Sequence, residues 1–339
     1  MFTPKLRAER RRFVAGASAV AAMAILKGNA KGAQFEFKCA SNLPKEHPTS
    51  VRLTQMWAAI EKESAGRLHT QFFPNSMLGG DAAMFAQLRL GAVQFFFISA
   101  GNLASLVPAA NITFLGFAFR DAAEALRVVD GPLGTFVRDE TGAKGIYLFR
   151  TIWDAGMNHI ASNTHPIRNP NDLRGFKIRI AETNILSELF RAFGASPAPI
   201  SVAETYTAAQ TKLIDGVSVG VASEQTLRWF EVTKYFSLTN HSWAGVWLIA
   251  NGDAWKSLPP DLQEIVERNT VKYAKAARRD QQLLEPIIAD KLTRQGLVLN
   301  PVDQAPFRAL LRPYYESWAN AFGPKEWDLL ETSLGRKLS

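Results

Sequence analysis

From Phe35 onward the chain alternates between a hydrophobic period of two residues and one near 3.6, and this alternation restricts the available folds more than any other feature. Residues 35–40 alternate apolar and polar, as a half-buried strand does. Residues 50–65 place Val51, Leu53, Met56, Trp57 and Ile60 near helical spacing and end at Gly66. A second strand is expected over 68–73, stopped by Pro74-Asn75. Asp81 then caps a helix over 82–90 that Gly91 closes, and the apolar run 93–98 reads as a buried strand. The pattern resumes with strands at 153–160, 173–180 and 217–221 and helices at 184–193 and 204–213. A long helix follows over 261–295, opened by Pro259-Pro260, interrupted by Pro286 and stopped by Gly296. Alternation of this kind predicts an α/β architecture with mainly parallel pairing. No internal repeat or long flexible linker separates the halves, which favours two lobes joined by more than one crossing.

The amino terminus has a different character. A basic stretch over 5–12 precedes the Ala-rich apolar run 13–26, and small residues follow at Gly28, Ala30 and Ala33. The run is too short and weakly apolar for a membrane span of about 20 residues. Arg10-Arg11-Arg12-Phe13-Val14 resembles a twin-arginine export address. Residues 1–33 are therefore expected to be a cleaved export signal, and the mature protein to be periplasmic. Six basic residues against Glu9 place five of the eight net positive charges in residues 1–30. The +3 left is ordinary for a soluble protein, so no nucleic-acid partner is expected.

Chemistry-bearing motifs are few. The single cysteine, Cys39, forms no internal disulfide and sits in the first strand pattern as a half-buried residue; Glu36-Phe37-Lys38 before it is unlike a lipidation site. His47, His69, His159, His165 and His241 show no metal-ligand spacing, and no metal or cofactor is expected. There is no G-x-S-x-G elbow, no G-x-G-x-x-G after a strand and no Walker lysine. Binding, not catalysis, is the default reading.

Asn171-Asp-Leu-Arg-Gly-Phe-Lys-Ile-Arg-Ile180 resembles the D-L-[KR]-G-x-K-[IL]-R signature of solute-binding proteins of the tripartite ATP-independent periplasmic (TRAP) transporters, the dicarboxylate-binding (DctP) type. Phe73-Pro-Asn-Ser-Met-Leu-Gly79, Leu106-Val-Pro108 and Asp130-Gly-Pro-Leu-Gly134 are similar to landmarks of the family's first lobe. Phe193-Gly-Ala-Ser-Pro-Ala-Pro199, Glu204-Thr-Tyr206, Ile214-Asp-Gly216 and Ser257-Leu-Pro-Pro-Asp-Leu262 follow in the family's order. The resemblance implies a two-lobe periplasmic-binding-protein-like α/β fold with a ligand cleft and a long kinked helix crossing both lobes. Lobe 1 would comprise 34–155 plus about 243–283, and lobe 2 would comprise 156–242 plus about 284–330. It further implies a monomer that serves TRAP membrane subunits and catalyses nothing.

Within that resemblance Arg179 is the expected carboxylate clamp, because a guanidinium matches a carboxylate bidentately. Read from the residues alone, it is equally a surface arginine beside Arg174 and Lys177. The chain also departs from the family pattern. Asn158 stands where many members carry a second arginine, Val219 where many carry asparagine, and Ser99 where sugar-acid binders carry an acid. Each change removes charge or polarity, so a dianion or polyhydroxyl acid is disfavoured. Trp153, Trp243 and Trp247 are read either as core or as pocket wall, with Trp243 the first choice for the wall beside Val219 and Val202. His159 and His241 are read as structural. The expected ligand is a small organic monocarboxylate with an aromatic or apolar body. Two rival readings are an exported cofactor-dependent enzyme and the binding subunit of an ABC importer or sensor.

Overall fold

The alternation in the sequence is realised as strands and helices whose buried faces follow it. The computed structural model describes residues 33–99 and 103–338. The expected export signal therefore lies, but for its last residue, outside the described residues. Strand β1 (Phe35–Ser41) pairs in parallel with β2 (Leu68–Phe73) and β3 (Phe95–Ser99). Helix α1 (Pro48–Glu63) connects β1 to β2 and buries Leu53, Met56, Trp57 and Ile60 of the face predicted by the spacing, while Val51 in its first turn is exposed. Pro48 occupies its first turn, where a missing N–H is harmless, and the His47 ring accepts the Thr49 N–H. Helix α2 (Asp81–Arg89) leads into β3; its cap is Gly80, so Asp81 is its first helical residue and not the expected cap. Cys39 is fully buried, because β1 is covered on both faces at this point.

Helices α3 (Ala122–Val129) and α4 (Pro132–Gly142) precede β4 (Ile146–Leu148) and β5 (Trp153–Ser162). The chain continues through β6 (Lys177–Ile180), α5 (Asn184–Ala192), β7 (Ser196–Pro199), α6 (Val202–Gln210), β8 (Gly216–Gly220) and α7 (Val221–Thr226). Strand β9 (Tyr235–Asn251) is followed by α8 (Gly252–Ser257), the long α9 (Pro260–Arg294), β10 (Val298–Pro301) and three closing helices, α10 (Ala305–Arg308), α11 (Arg312–Phe322) and α12 (Pro324–Leu334).

The strands form one sheet in the order β2-β1-β3-β9-β5-β8-β6-β7, with β4 and β10 also paired to β9. The expected parallel pairing holds towards the two ends of the sheet and between β10 and β9. In the middle, β9 runs antiparallel to β3, β4 and β5, and β5 runs antiparallel to β8. The sheet is mixed because β9, 17 residues long, returns through its centre. The β5–β9 register breaks between Asp154 and Met157 and again between Asn158 and Ile160. Gly156 sits in the first break with φ +90°, and a Cβ there would stand 2.7 Å from Gln281 Nε2 on α9. The positive φ favours glycine here, and a side chain would also have to displace the Gln281 amide.

Helix α9 packs on α1, β5 and α7 and carries Pro286 inside it. Its charged residues anchor it: Arg278 donates to both oxygens of Asp130 at 2.6 and 2.8 Å and to the Ile152 carbonyl, and Arg52 of α1 meets Asp280 at 2.5 Å. Apolar side chains gather in three clusters. One joins Phe96, Trp243 and Trp247 to the closing helices, one lies between α1, α9 and β1, and one joins β8 to Trp229, Phe236 and Leu292. Among the described residues, no helix is long and apolar enough to cross a membrane.

Candidate functional site

The carboxyl ends of three strands meet at one place, β6 arriving from the direction opposite to β1 and β3. Asn42 and Leu43 follow β1, Ser99 ends β3, and Arg179 lies one residue before the end of β6. In open α/β sheets the carboxyl ends of the strands are where ligands bind. Together with Asp81 at the start of α2, Val202 at the start of α6, Ala155 and Asn158 of β5, Ser218 and Val219 of β8, and Trp229, they enclose a cavity of about 100 Å³. The cavity is half open to solvent, so a ligand body can extend beyond this volume.

Arg179 dominates the electrostatics. It is 5% exposed, and burial pushes its guanidinium down to about 10, against the milder opposing influence of Asp81 and Glu182. It therefore remains charged at neutral pH. Its Nε donates to the Ile200 carbonyl at 2.8 Å, and its guanidinium carbon lies 5.3 Å from the centre of the Trp229 ring. Neither contact brings a negative charge, and among the described residues no ion pair forms on Arg179. A buried cation held by a carbonyl and an aromatic face has the chemistry to accept an anion.

The polar helpers are held from behind. Asn158 Nδ2 donates to Ser242 Oγ at 3.0 Å. Ser218 Oγ lies 2.8 Å from His241 Nε2, whose Nδ1 lies 2.8 Å from Thr239 Oγ1. Burial, with His159 nearby, pushes the His241 imidazole down to about 3, so it is neutral and joins these two hydroxyls as one donor and one acceptor. Asp81 Oδ2 accepts from Asn42 Nδ2 at 3.0 Å, which places a carboxylate in the lining near Arg179.

Five residues expected at the site, Ser99, Asn158, Arg179, Val202 and Val219, line this one cavity. Trp153 and Trp243 do not. Trp243 is fully buried, its indole N–H donating to Asp154 Oδ1 at 2.8 Å and its ring edge-on to Phe119; Trp153 is buried edge-on against Phe97. Both side chains fill core instead of wall, as does Trp247. The tryptophan that does line the cavity is Trp229, in a one-turn helix that follows Arg228 at φ +59°. It carries no periodic signal in the sequence. Asp81 was legible only as a helix start. Among the described residues, no group of three or more His, Cys, Asp or Glu is gathered as a metal site would need.

The chain matches the bacterial extracellular solute-binding protein, family 7 (DctP) model over residues 39–321. It is 27% identical over 300 residues to the 2,3-diketo-L-gulonate-binding periplasmic protein YiaO of Escherichia coli, covering 87% of this chain and 88% of that one. A TRAP periplasmic solute-binding protein of Xanthobacter autotrophicus Py2, solved with bound β-D-galacturonate, superposes with a TM-score of 0.83 at 28% identity, covering 89% of this chain and all of the other. One from Sulfurospirillum deleyianum, solved with bound succinate, gives 0.84 at 26% identity over 90% of this chain and all of the other. A family match over most of the chain, the same two-lobe fold and a cavity at the strand ends agree: this chain belongs to bacterial extracellular solute-binding protein family 7 and is a TRAP solute-binding protein.

Proposed function

We propose that the protein captures a small organic monocarboxylate with an apolar or aromatic body and delivers it, as a monomer outside the cytoplasm, to TRAP membrane subunits. The observation that carries this reading is Arg179, a buried charge whose contacts in the cavity are a carbonyl and an aromatic ring. A ligand carboxylate would bond the guanidinium directly, in the bidentate geometry a guanidinium offers. The relatives named above bind diketogulonate, galacturonate and succinate, which share a carboxylate and differ in the rest. Here the rest of the lining mixes apolar residues such as Leu43, Phe114, Leu186, Val219, Trp229 and Val246 with neutral Asn42, Ser99, Asn158, Ser218 and Ser223 and the carboxylate of Asp81. Among the described residues no second cation lines the cavity to receive a second carboxylate, and Asp81 would repel one.

In this reading the lobes are 34–155 with 243–283 and 156–242 with 284–330, crossed by β5, β9 and α9. Contacts to both lobes by one ligand favour the closed form, which a membrane partner then distinguishes from the open one. The test is a thermal-shift screen of the mature protein against isovalerate, phenylacetate, succinate and galacturonate, with Arg179→Ala alongside. The expected result is a shift with a monocarboxylate that disappears in the variant. A larger shift with succinate or galacturonate would overturn the ligand class, and no shift with any acid would overturn the clamp.

A further inference from the structure

Glu224 on α7 is fully buried, yet it joins no ion pair among the described residues, and its Oε2 has no hydrogen-bond partner there. Its Oε1 lies 2.6 Å from Thr233 Oγ1, and that same hydroxyl lies 3.1 Å from the Trp229 carbonyl. A hydroxyl has one proton to give. With an ionised Glu224, Thr233 would face two acceptors and satisfy one. With a protonated Glu224, the acid donates to Thr233 and Thr233 donates to Trp229, and every link in the chain is made. Burial pushes this carboxyl up to about 7, so both states are within reach of neutral pH. Charged groups on the elements packed against α7 are engaged elsewhere. On β5, Asp154 accepts from Trp243 and Gly156, and His159 faces Glu285 of α9 at 3.9 Å; at the one-turn helix, Glu231 is held by Arg228 and Tyr206.

The far end of this chain is the ring that covers Arg179. Trp229 is reached through Arg228 in the left-handed region, a conformation that neighbouring contacts must hold in place for a non-glycine residue. We propose that Glu224 is a positioning residue: through Thr233 it fixes the turn that sets Trp229 against the Arg179 guanidinium, and so fixes the plane in which that guanidinium meets a carboxylate. The inference rests on the clamp reading of Arg179 for its ligand half. For its structural half it needs no ligand.

The test uses 5-fluorotryptophan-labelled protein, the Trp229 resonance being identified by its absence in Trp229→Phe. In unliganded wild type this resonance should move between pH 5.5 and 8.5 with a midpoint near 7. In Glu224→Gln, whose amide donates to Thr233 at every pH, it should stay at the acid position. In Glu224→Met and Thr233→Val it should be displaced at every pH. Affinity for the tighter of isovalerate and phenylacetate should fall about tenfold in Glu224→Met and Thr233→Val and be preserved in Glu224→Gln. A Trp229 resonance indifferent to both Glu224→Met and Thr233→Val would overturn the proposal. So would unchanged affinity in those variants while Arg179→Ala abolishes binding, and that result would leave the clamp standing. Movement of Trp229 with Glu224 but no binding of either acid would instead remove the clamp, and the ligand half with it.

Discussion

Replacing Arg179 by methionine separates binding from stability, because the two should respond very differently. Methionine keeps most of the packing of the arginine stem and removes the charge. In the folded, unliganded protein the charge is a burden: lowering the guanidinium from 12.5 to about 10 corresponds to about 3 kcal/mol against folding. The sign follows from linkage. The folded value lies below the unfolded one, so the burden is complete at any pH below about 10 and is relieved only as pH climbs from there towards 12.5. Two contacts offset it. The Trp229 face contributes about 1–2 kcal/mol and the hydrogen bond to the Ile200 carbonyl about 1.5–3 kcal/mol. These terms nearly cancel, so Arg179→Met should leave unliganded stability within about 2 kcal/mol of wild type, or about 4 °C in melting temperature.

Ligand affinity should respond far more strongly. Two charge-assisted hydrogen bonds to a carboxylate are together worth about 3–6 kcal/mol, so the dissociation constant should rise by about 10²–10⁴. Differential scanning fluorimetry without ligand and isothermal titration calorimetry with isovalerate or phenylacetate read the two quantities separately. A fall of more than about 10 °C in the unliganded variant would refute the reasoning, since Arg179 would then be a structural cation whose contacts outweigh its burial. An affinity within tenfold of wild type would refute the clamp itself.

Other substitutions test the frame around the cavity. Arg278→Ala removes the bonds that tie α9 to Asp130 and to the Ile152 carbonyl, and should lower stability by about 2–4 kcal/mol in urea titrations; a loss under about 1 kcal/mol would show that the anchor is dispensable. Gly216→Ala would place a Cβ 2.7 Å from the Phe176 ring and closer still to the Ala161 carbonyl, so it should destabilise by about 3 kcal/mol or more and reduce soluble yield; a normal urea midpoint would contradict the β5–β8 register. Burial raises the Asp154 carboxyl above its usual range, against the Gly156 and Trp243 N–H groups. A raised acid favours the folded state at low pH and loses that advantage as pH rises through its folded value, so the stability of Asp154→Asn relative to wild type should increase between pH 4 and pH 8. A difference that does not vary with pH would show that Asp154 is not held in its raised state.

The outer parts of the sheet were legible because each strand there has one clear physical signature. In β1 the exposed and half-buried positions alternate through Lys38, and α1 repeats its buried residues at helical spacing. Strand β9 left no such trace. It is buried on both faces over most of its length, so its apolar residues do not alternate. Its middle carries Thr239, Asn240, His241 and Ser242, a composition that reads as loop, and Asn240 has φ +45°. Those polar residues are tolerated inside the sheet because they bond to one another and to β5 and β8, through pairs such as Ser242 with Asn158 and His241 with Ser218. A tertiary network supplies the partners, and local sequence cannot reveal it. The antiparallel direction of β9 was hidden for the same reason, since it follows from where the chain crosses the sheet and not from any local pattern.

The site shows the same division between what a residue is and what surrounds it. Ser99, Asn158 and Val219 stood out only against a family pattern, and all three face the cavity because the strands that carry them fix their direction. The tryptophans had no such guide. A tryptophan in a strand is large and apolar whether it fills core or forms a wall, and Trp153 and Trp243 fill core. Trp229 reaches the cavity from a turn built on a left-handed residue, where neither period applies. Lys177 and Arg179 point to one side of β6, yet one is exposed and the other buried. What separates them is the depth of the cavity beneath Arg179, together with the ring and the carbonyl that hold it there. An arginine in that position carries its charge where water screens it little, and a ligand anion would add a direct partner to the ring and the carbonyl that already hold it.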